Sequence, residues 1–143
     1  MRLRWAGIAV ISLVAVVLAA GCGGGGDEES ESAASACRGE ATTEATNFPP
    51  GFPVPGEATF TSVHKDGPTN IADGYWASGL DEAYEEYKDA VENADGYEIL
   101  FSEKEEDDAE ISYKGEGRSG QIALRGDCSE ADTTRLHITN RPE

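Results

Sequence analysis

The spacing of apolar residues between Leu80 and Ala94 constrains the fold more than any other feature of the chain. Leu80, Ala83, Tyr84, Tyr87, Ala90, Val91 and Ala94 recur at intervals of three and four, which on a 3.6-residue helix gathers them into one stripe. The spacing predicts a helix from about 79 to 94. Asp81, Glu82, Glu85 and Glu86 occupy the opposite face, where acids near the N-terminus complement the helix dipole. Ser78 with Asp81 predicts a capped start, and Gly96 a left-handed stop. Such a helix needs an apolar partner, because its own turns contribute too little to hold it in water.

The partner surface is written with a period of two. Tyr97, Ile99 and Phe101 alternate with polar residues, as do Ala109, Ile111 and Tyr113, then Ile122 and Leu124, then Leu136 and Ile138. One apolar and one polar face per strand is the pattern of an antiparallel sheet solvated on one side. The turns near 104–108, 115–119 and 126–131 are short enough for a meander. Ahead of the helix, 57–64 and 71–77 read as two further strands around Asp66, Gly67, Pro68 and Asn70, with either Tyr75 or Trp76 facing the core. Pro49, Pro50, Pro53 and Pro55 hold an extended lead-in whose Phe48, Phe52 and Val54 are expected to cover one end of the core. A PxxP ligand for an aromatic groove is the competing reading of that segment. The expected class is α+β: one amphipathic helix packed on an antiparallel, meander-like β-sheet. In its layers this resembles the helix-on-sheet domains of cystatin-like small folds, a likeness that implies nothing about activity.

The first 40 residues follow other rules. Arg2 and Arg4 precede an apolar run, Trp5 to Ala20, which Gly21 and Gly23 to Gly26 bring to an end. A charged start, an apolar stretch and small residues form the order of a secretory signal. The run is short for a spanning helix, which needs about 20 apolar residues. Leu18, Ala19, Ala20, Gly21 and Cys22 then resemble the lipobox of bacterial lipoproteins, with Ala19 where that box most commonly has leucine. The resemblance covers only the leader. It implies that residues 1–21 are a signal peptide cut before Cys22, that Cys22 Sγ carries a diacylglyceryl thioether, and that the new amino group is open to acylation. A second acyl chain turns a marginal hold into a stable anchor. The competing readings are an ordinary secretory signal, cut for example after Ala20, and a retained anchor helix.

Residues 22–36 read as the lipidated cysteine and a flexible tether of glycine, serine, alanine and the acids Asp27, Glu28, Glu29 and Glu31. Its r.m.s. span is about 20 Å. Residues 37–143 are left as one small extracytoplasmic domain, a size at which a core is adequate but marginal. With Cys22 taken by lipid, Cys37 and Cys128 remain as an even pair in an exported chain, and a disulfide between them is expected. No CxxC pair or Cys/His cluster suggests zinc.

The chain holds 28 acids against 11 bases, a formal charge of −17, which repels nucleic acid and would also suit a salt-exposed source. His64 and His137, the two histidines of the sequence, both fall in strands and read as solvent-facing rather than catalytic or metal-binding. Glu103, Glu105, Glu106, Asp107, Asp108 and Glu110 lack the alternating ligands and central glycine of a calcium loop, so they read as a solvated turn. No GxSxG, HExxH, P-loop or GxGxxG pattern occurs, and carboxylate pairs chosen from 28 acids carry no signal without a cleft. No catalytic residue, metal or cofactor is expected. The expected protein is a lipoprotein of the cell membrane, held by the lipid on Cys22 and facing outward. Its role is non-catalytic, in binding or in the envelope, with an unidentified envelope protein or ligand as partner. The alternative from another class is a small envelope hydrolase with an unrecognised site. A solute-binding lipoprotein fits less well, because such receptors close two lobes around a ligand.

Overall fold

The computed structural model describes residues 37–42, 46–56, 58–130 and 132–143. The leader, Cys22 and the tether lie outside them. Among the described residues no helix is long and apolar enough to cross a membrane.

One hairpin and a four-stranded meander share one sheet. Strands β1 (Ala58–Asp66) and β2 (Thr69–Trp76) form the hairpin. Its two-residue loop has Gly67 at φ 55° ahead of Pro68, the arrangement of a type II′ turn. Helix α1 (Leu80–Glu92) crosses to the far edge, where β3 (Tyr97–Lys104), β4 (Asp108–Gly115), β5 (Arg118–Arg125) and β6 (Thr134–Pro142) follow as a meander. The six strands run in the order β1-β2-β6-β5-β4-β3, and every neighbouring pair is antiparallel. The last strand therefore lies beside the second.

Alternation decides which side chains the helix covers. Ile111, Ile122, Leu124, Leu136 and Ile138 are wholly buried on one face, beneath Ala83, Tyr84, Tyr87 and Val91 of α1. Trp76, not Tyr75, enters the core and lies 5.6 Å from the Tyr87 ring. Tyr75 points the other way and donates its hydroxyl to the Gly39 carbonyl at 3.3 Å. The proline-rich lead-in closes one end of this core: Phe52 meets Tyr113 and Tyr97 edge-on, and Phe48 meets Phe60 edge-on and Phe52 at a tilt of 32°. Val54, expected to join them, stays 39% exposed, because the turns that seat the two phenylalanines direct it outward.

Three local expectations need correction. Gly79 stands at the helix N-cap with no side-chain cap bond. Ser78 is buried instead, and its carbonyl accepts the Thr134 hydroxyl at 2.9 Å, so the helix start is fixed by a neighbouring strand. At the other end Asn93 closes the helix by bonding Asp89, which leaves Ala94 in the turn to Gly96. Gly96 has φ 82° as expected, and a Cβ there would strike the Glu116 carboxylate. Phe101 does not face the core. An extra residue at Leu100 shifts the register between Ile99 and Phe101, so Ser102 takes the place opposite Ile111 and Phe101 turns outward opposite Ser112. Leu100 and Phe101 are 53% and 52% exposed.

The other edge strand has a similar bulge between Phe60 and Ser62. Bulges at both edges, with Glu98, Glu103 and Lys104 on β3, discourage pairing with a second sheet. The β1 edge is further covered where Thr42 N–H donates to the Phe60 carbonyl at 2.7 Å. Cys37 and Cys128 form a disulfide with a Cα separation of 5.6 Å. It ties the start of the lead-in to the β5–β6 connection, and Cys37 is buried rather than exposed.

Candidate functional site

Among the described residues the helix and the Phe48–Phe52 part of the lead-in cover one face of the sheet, and the other is uncovered except where Gly39 meets Tyr75, so the side chains able to meet a ligand are the outward members of each strand. Across the middle they form two rows. One runs Ser62, Asp73, His137, Ala123, Glu110 and Glu103; the next runs His64, Ile71, Thr139, Gln121, Ser112 and Phe101.

The first notable group joins strands β1, β2 and β6. Asp73 and His137 are directly paired across strands, and their side chains meet at 2.6 Å between Oδ1 and Nδ1. His64, diagonal to Asp73 on β1, brings its own Nδ1 to 3.7 Å from the other carboxylate oxygen. Both histidines of the sequence thus flank one aspartate. They are solvent-facing, as their strand positions predict, but they are not isolated.

The second group is a shallow depression of about 440 Å³ towards the end of the sheet where β2 begins. Hydroxyls of Thr69, Ser112, Ser119 and Thr139 line it, with the Gln121 amide, the Arg141 guanidinium and the exposed Leu100. Gln121 is held by Glu110, to which its Nε2 donates at 2.9 Å, and Glu110 lies 3.8 Å from Arg125. Arg125 also pairs with Asp108, Lys114 with Glu98, and Arg135 with Asp127 through two bonds. The acidic run from Glu103 to Glu110 therefore divides: Asp108 and Glu110 neutralise Arg125, while Lys104 turns back to Asp81 of the helix. That contact raises the Lys104 pKa, since the ammonium is the form Asp81 bonds.

A buried polar chain supports the depression from below. Arg118 donates to Asn140 Oδ1 at 2.9 Å, Asn140 Nδ2 donates to the Tyr113 hydroxyl at 2.9 Å, and that hydroxyl donates to the Thr139 carbonyl at 2.8 Å. The Tyr113 ring fits because Gly120 stands opposite it; a Cβ at 120 would lie 2.7 Å from the hydroxyl and collide with the Thr139 carbonyl. Burial pushes the Tyr113 pKa up, against the Asn140 bond that favours the ionised form. Burial likewise raises Tyr87 well above the usual phenol range, and raises Tyr97 with help from Glu116. Among the described residues the buried Trp76 Nε1, Ser78 Oγ, Tyr87 Oη and Tyr97 Oη have no hydrogen-bond partner.

Cys37, Cys128 and Asp127 also lie together, but the disulfide leaves neither sulfur free to bind a metal as a thiolate. Cys22, the expected lipidation site, is outside the described residues. Reading residues one strand at a time finds each histidine's outward direction. It cannot find their meeting at Asp73, which depends on β6 returning beside β2. Comparison with protein-family models, with curated proteins and with solved structures finds no significant match for this chain.

Proposed function

We propose that the chain is the precursor of a lipid-anchored lipoprotein on the extracytoplasmic side of the cell membrane, and that its domain acts by binding within the envelope. The observation that carries the binding role is the open face of the sheet. It presents a depression of mixed polar and apolar lining that includes the exposed Leu100, with the exposed Phe101 next to it in sequence, a combination suited to a partner with an apolar anchor and hydrogen-bonding groups. The Cys37–Cys128 disulfide supports export, because such bonds persist in oxidising compartments. The ordered leader and the small residues before Cys22 support lipidation.

The anchor is tested by expressing the full chain in a bacterium with lipoprotein-processing enzymes. The protein should partition into detergent and begin at Cys22, and Cys22→Ala should block both the lipid mass increment and cleavage. A wild-type mature N-terminus at any other residue overturns the anchor. The binding role is tested by capture from envelope extracts with the lipidated protein in detergent. A partner held by wild type and lost with Phe101→Ser supports the open face, whereas turnover of generic esterase, phosphatase or glycosidase substrates, abolished by one substitution, would replace binding by hydrolysis.

A further inference from the structure

Acids outnumber bases 28 to 11 in this chain, so an arginine left without an acidic partner is unexpected. Among the described residues Arg38, Arg125 and Arg135 pair with carboxylates, and Arg118 bonds Asn140. The Arg141 guanidinium alone of those arginines has neither an ion pair nor a hydrogen bond. It stands on the wall of the depression in the open face. Its cross-strand neighbour on β5 is Ser119; beyond Ser119, Lys114 is held by Glu98, and Asp66 lies beyond Thr69 on the edge strand.

A guanidinium offers two parallel donors to the oxygens of a carboxylate or phosphate. Around this one the polar lining is hydroxyl and amide. The hydroxyls of Thr69, Ser112 and Ser119 make no bond to the described protein. Thr139 Oγ1 accepts the Gln121 N–H at 3.1 Å and keeps its own proton to donate, while Gln121, held by Glu110 through its amino group, keeps its carbonyl to accept. Groups that donate and accept at one place match the hydroxyls of a sugar, which do the same. Phe101, 52% exposed, is the cross-strand partner of Ser112, and the negative face of an aromatic ring suits the C–H face of a sugar ring. Taking the open face as the binding surface, we infer that the depression binds a saccharide carrying an acid group. Arg141 takes the carboxylate or phosphate, the hydroxyls and Gln121 take the sugar oxygens, and Phe101 lies against a ring.

Two features favour a saccharide over other acids. Strands β2, β6, β5 and β4 all lie inside the sheet, so their backbone groups are spent on one another and the depression has no free edge for a peptide to extend. Cys37, where the tether enters, is bound to Cys128 in the β5–β6 connection, whereas Ser119 lies near the start of β5 and Arg141 near the end of β6. The depression is therefore about 20 Å along β6 from the tethered end, a placement that favours a glycan outside the membrane over a headgroup within it.

The test titrates the full chain, purified in detergent, with short uronic acid oligosaccharides, with the same oligosaccharides reduced to neutral sugars, and with sugar phosphates, followed by calorimetry. One acidic set or both should bind saturably and at least about tenfold more tightly than the neutral set, a comparison that needs no variant to fold. Tighter binding of the uronic acids identifies a carboxylate ligand, and tighter binding of the sugar phosphates a phosphate. Arg141→Gln should remove the preference for acid. Arg135→Gln, which deletes the same charge from an arginine held by Asp127, should leave it within about twofold, because charge elsewhere on the surface is screened. Phe101→Ser should weaken acidic and neutral sets alike. Absence of saturable binding up to millimolar saccharide overturns the inference. So do neutral sugars bound as tightly as acidic ones, equal losses in Arg141→Gln and Arg135→Gln, or acidic peptides bound more tightly than any saccharide. If saccharides fail while an envelope partner is still captured and is lost with Phe101→Ser, the ligand class falls and the binding role stands; if both fail, the binding role falls with it.

Discussion

On the helix side of the sheet Ile111, Ile122, Leu124, Leu136 and Ile138 are wholly buried, whereas one residue further along the same strands Ser112, Arg125, His137 and Thr139 look out from the uncovered side. The covered face is mostly apolar, and some of its buried polar groups are joined into a chain through Arg118, Asn140 and Tyr113. The open face is a mosaic of ion pairs and hydroxyls ending in an exposed aromatic. Because pleating alternates side chains, each strand serves both faces at once. Stability and recognition can therefore change independently, provided that substitutions respect parity.

Removing the disulfide should have the largest effect, since it anchors the lead-in that brings Phe48 and Phe52 onto the covered face. A cross-link spanning 91 residues contributes up to about 4–5 kcal/mol in the chain-entropy treatment. Denaturant unfolding with and without reductant should show a loss of that order or somewhat smaller, and an unchanged midpoint would mean that the lead-in holds without it. Free-thiol titration of the unreduced, denatured protein should find neither Cys37 nor Cys128 reactive.

Neighbouring residues of β6 sharpen the contrast between faces. Leu136→Ala should cost about 3 kcal/mol through the cavity it leaves under the helix. Arg135→Ala, which removes an exposed pair with Asp127, should cost less than about 1 kcal/mol. Equal shifts in the unfolding midpoint would break the two-face description.

Alkaline pH probes the buried tyrosines of the covered face. Tyr87 and Tyr113 have pKa values raised by burial, so above about pH 10 the unfolded chain releases phenolic protons that the native domain retains. Stability from these groups is complete below about pH 10 and is lost as pH rises beyond it, by about 1.4 kcal/mol per pH unit for each tyrosine still protonated in the native state. Melting temperature measured between about pH 8 and pH 11 should fall above the ordinary phenol pKa of about 10, and Tyr113→Phe should make that fall shallower.

The smallest stability effect is expected at Phe101. Phe101→Ser removes an exposed ring and should change stability by no more than about 0.5 kcal/mol. The same substitution should abolish capture of an envelope partner. A large destabilisation would show that the ring is part of the core after all.

Local periodicity determined a good deal by itself. Helix α1, the outward parity of His64 and His137, the apolar sides of β4, β5 and β6, and the Cys37–Cys128 pair are legible because each depends on neighbours in the chain or on an even count of thiols. The Phe101 reading failed for a physical reason: a single inserted residue at Leu100 reverses the parity of the rest of β3, and composition does not mark where a strand bulges. The start of α1 failed similarly, because Ser78 is held by Thr134, 56 residues away. Strand order lies further still from local pattern. Only the tertiary structure chose Trp76 over Tyr75 for the core and seated β6 between β2 and β5, because pairing is settled by which long-range contacts bury the most apolar surface together. That choice brought His137 to Asp73 and so created the cluster of imidazole and carboxylate groups on the open face.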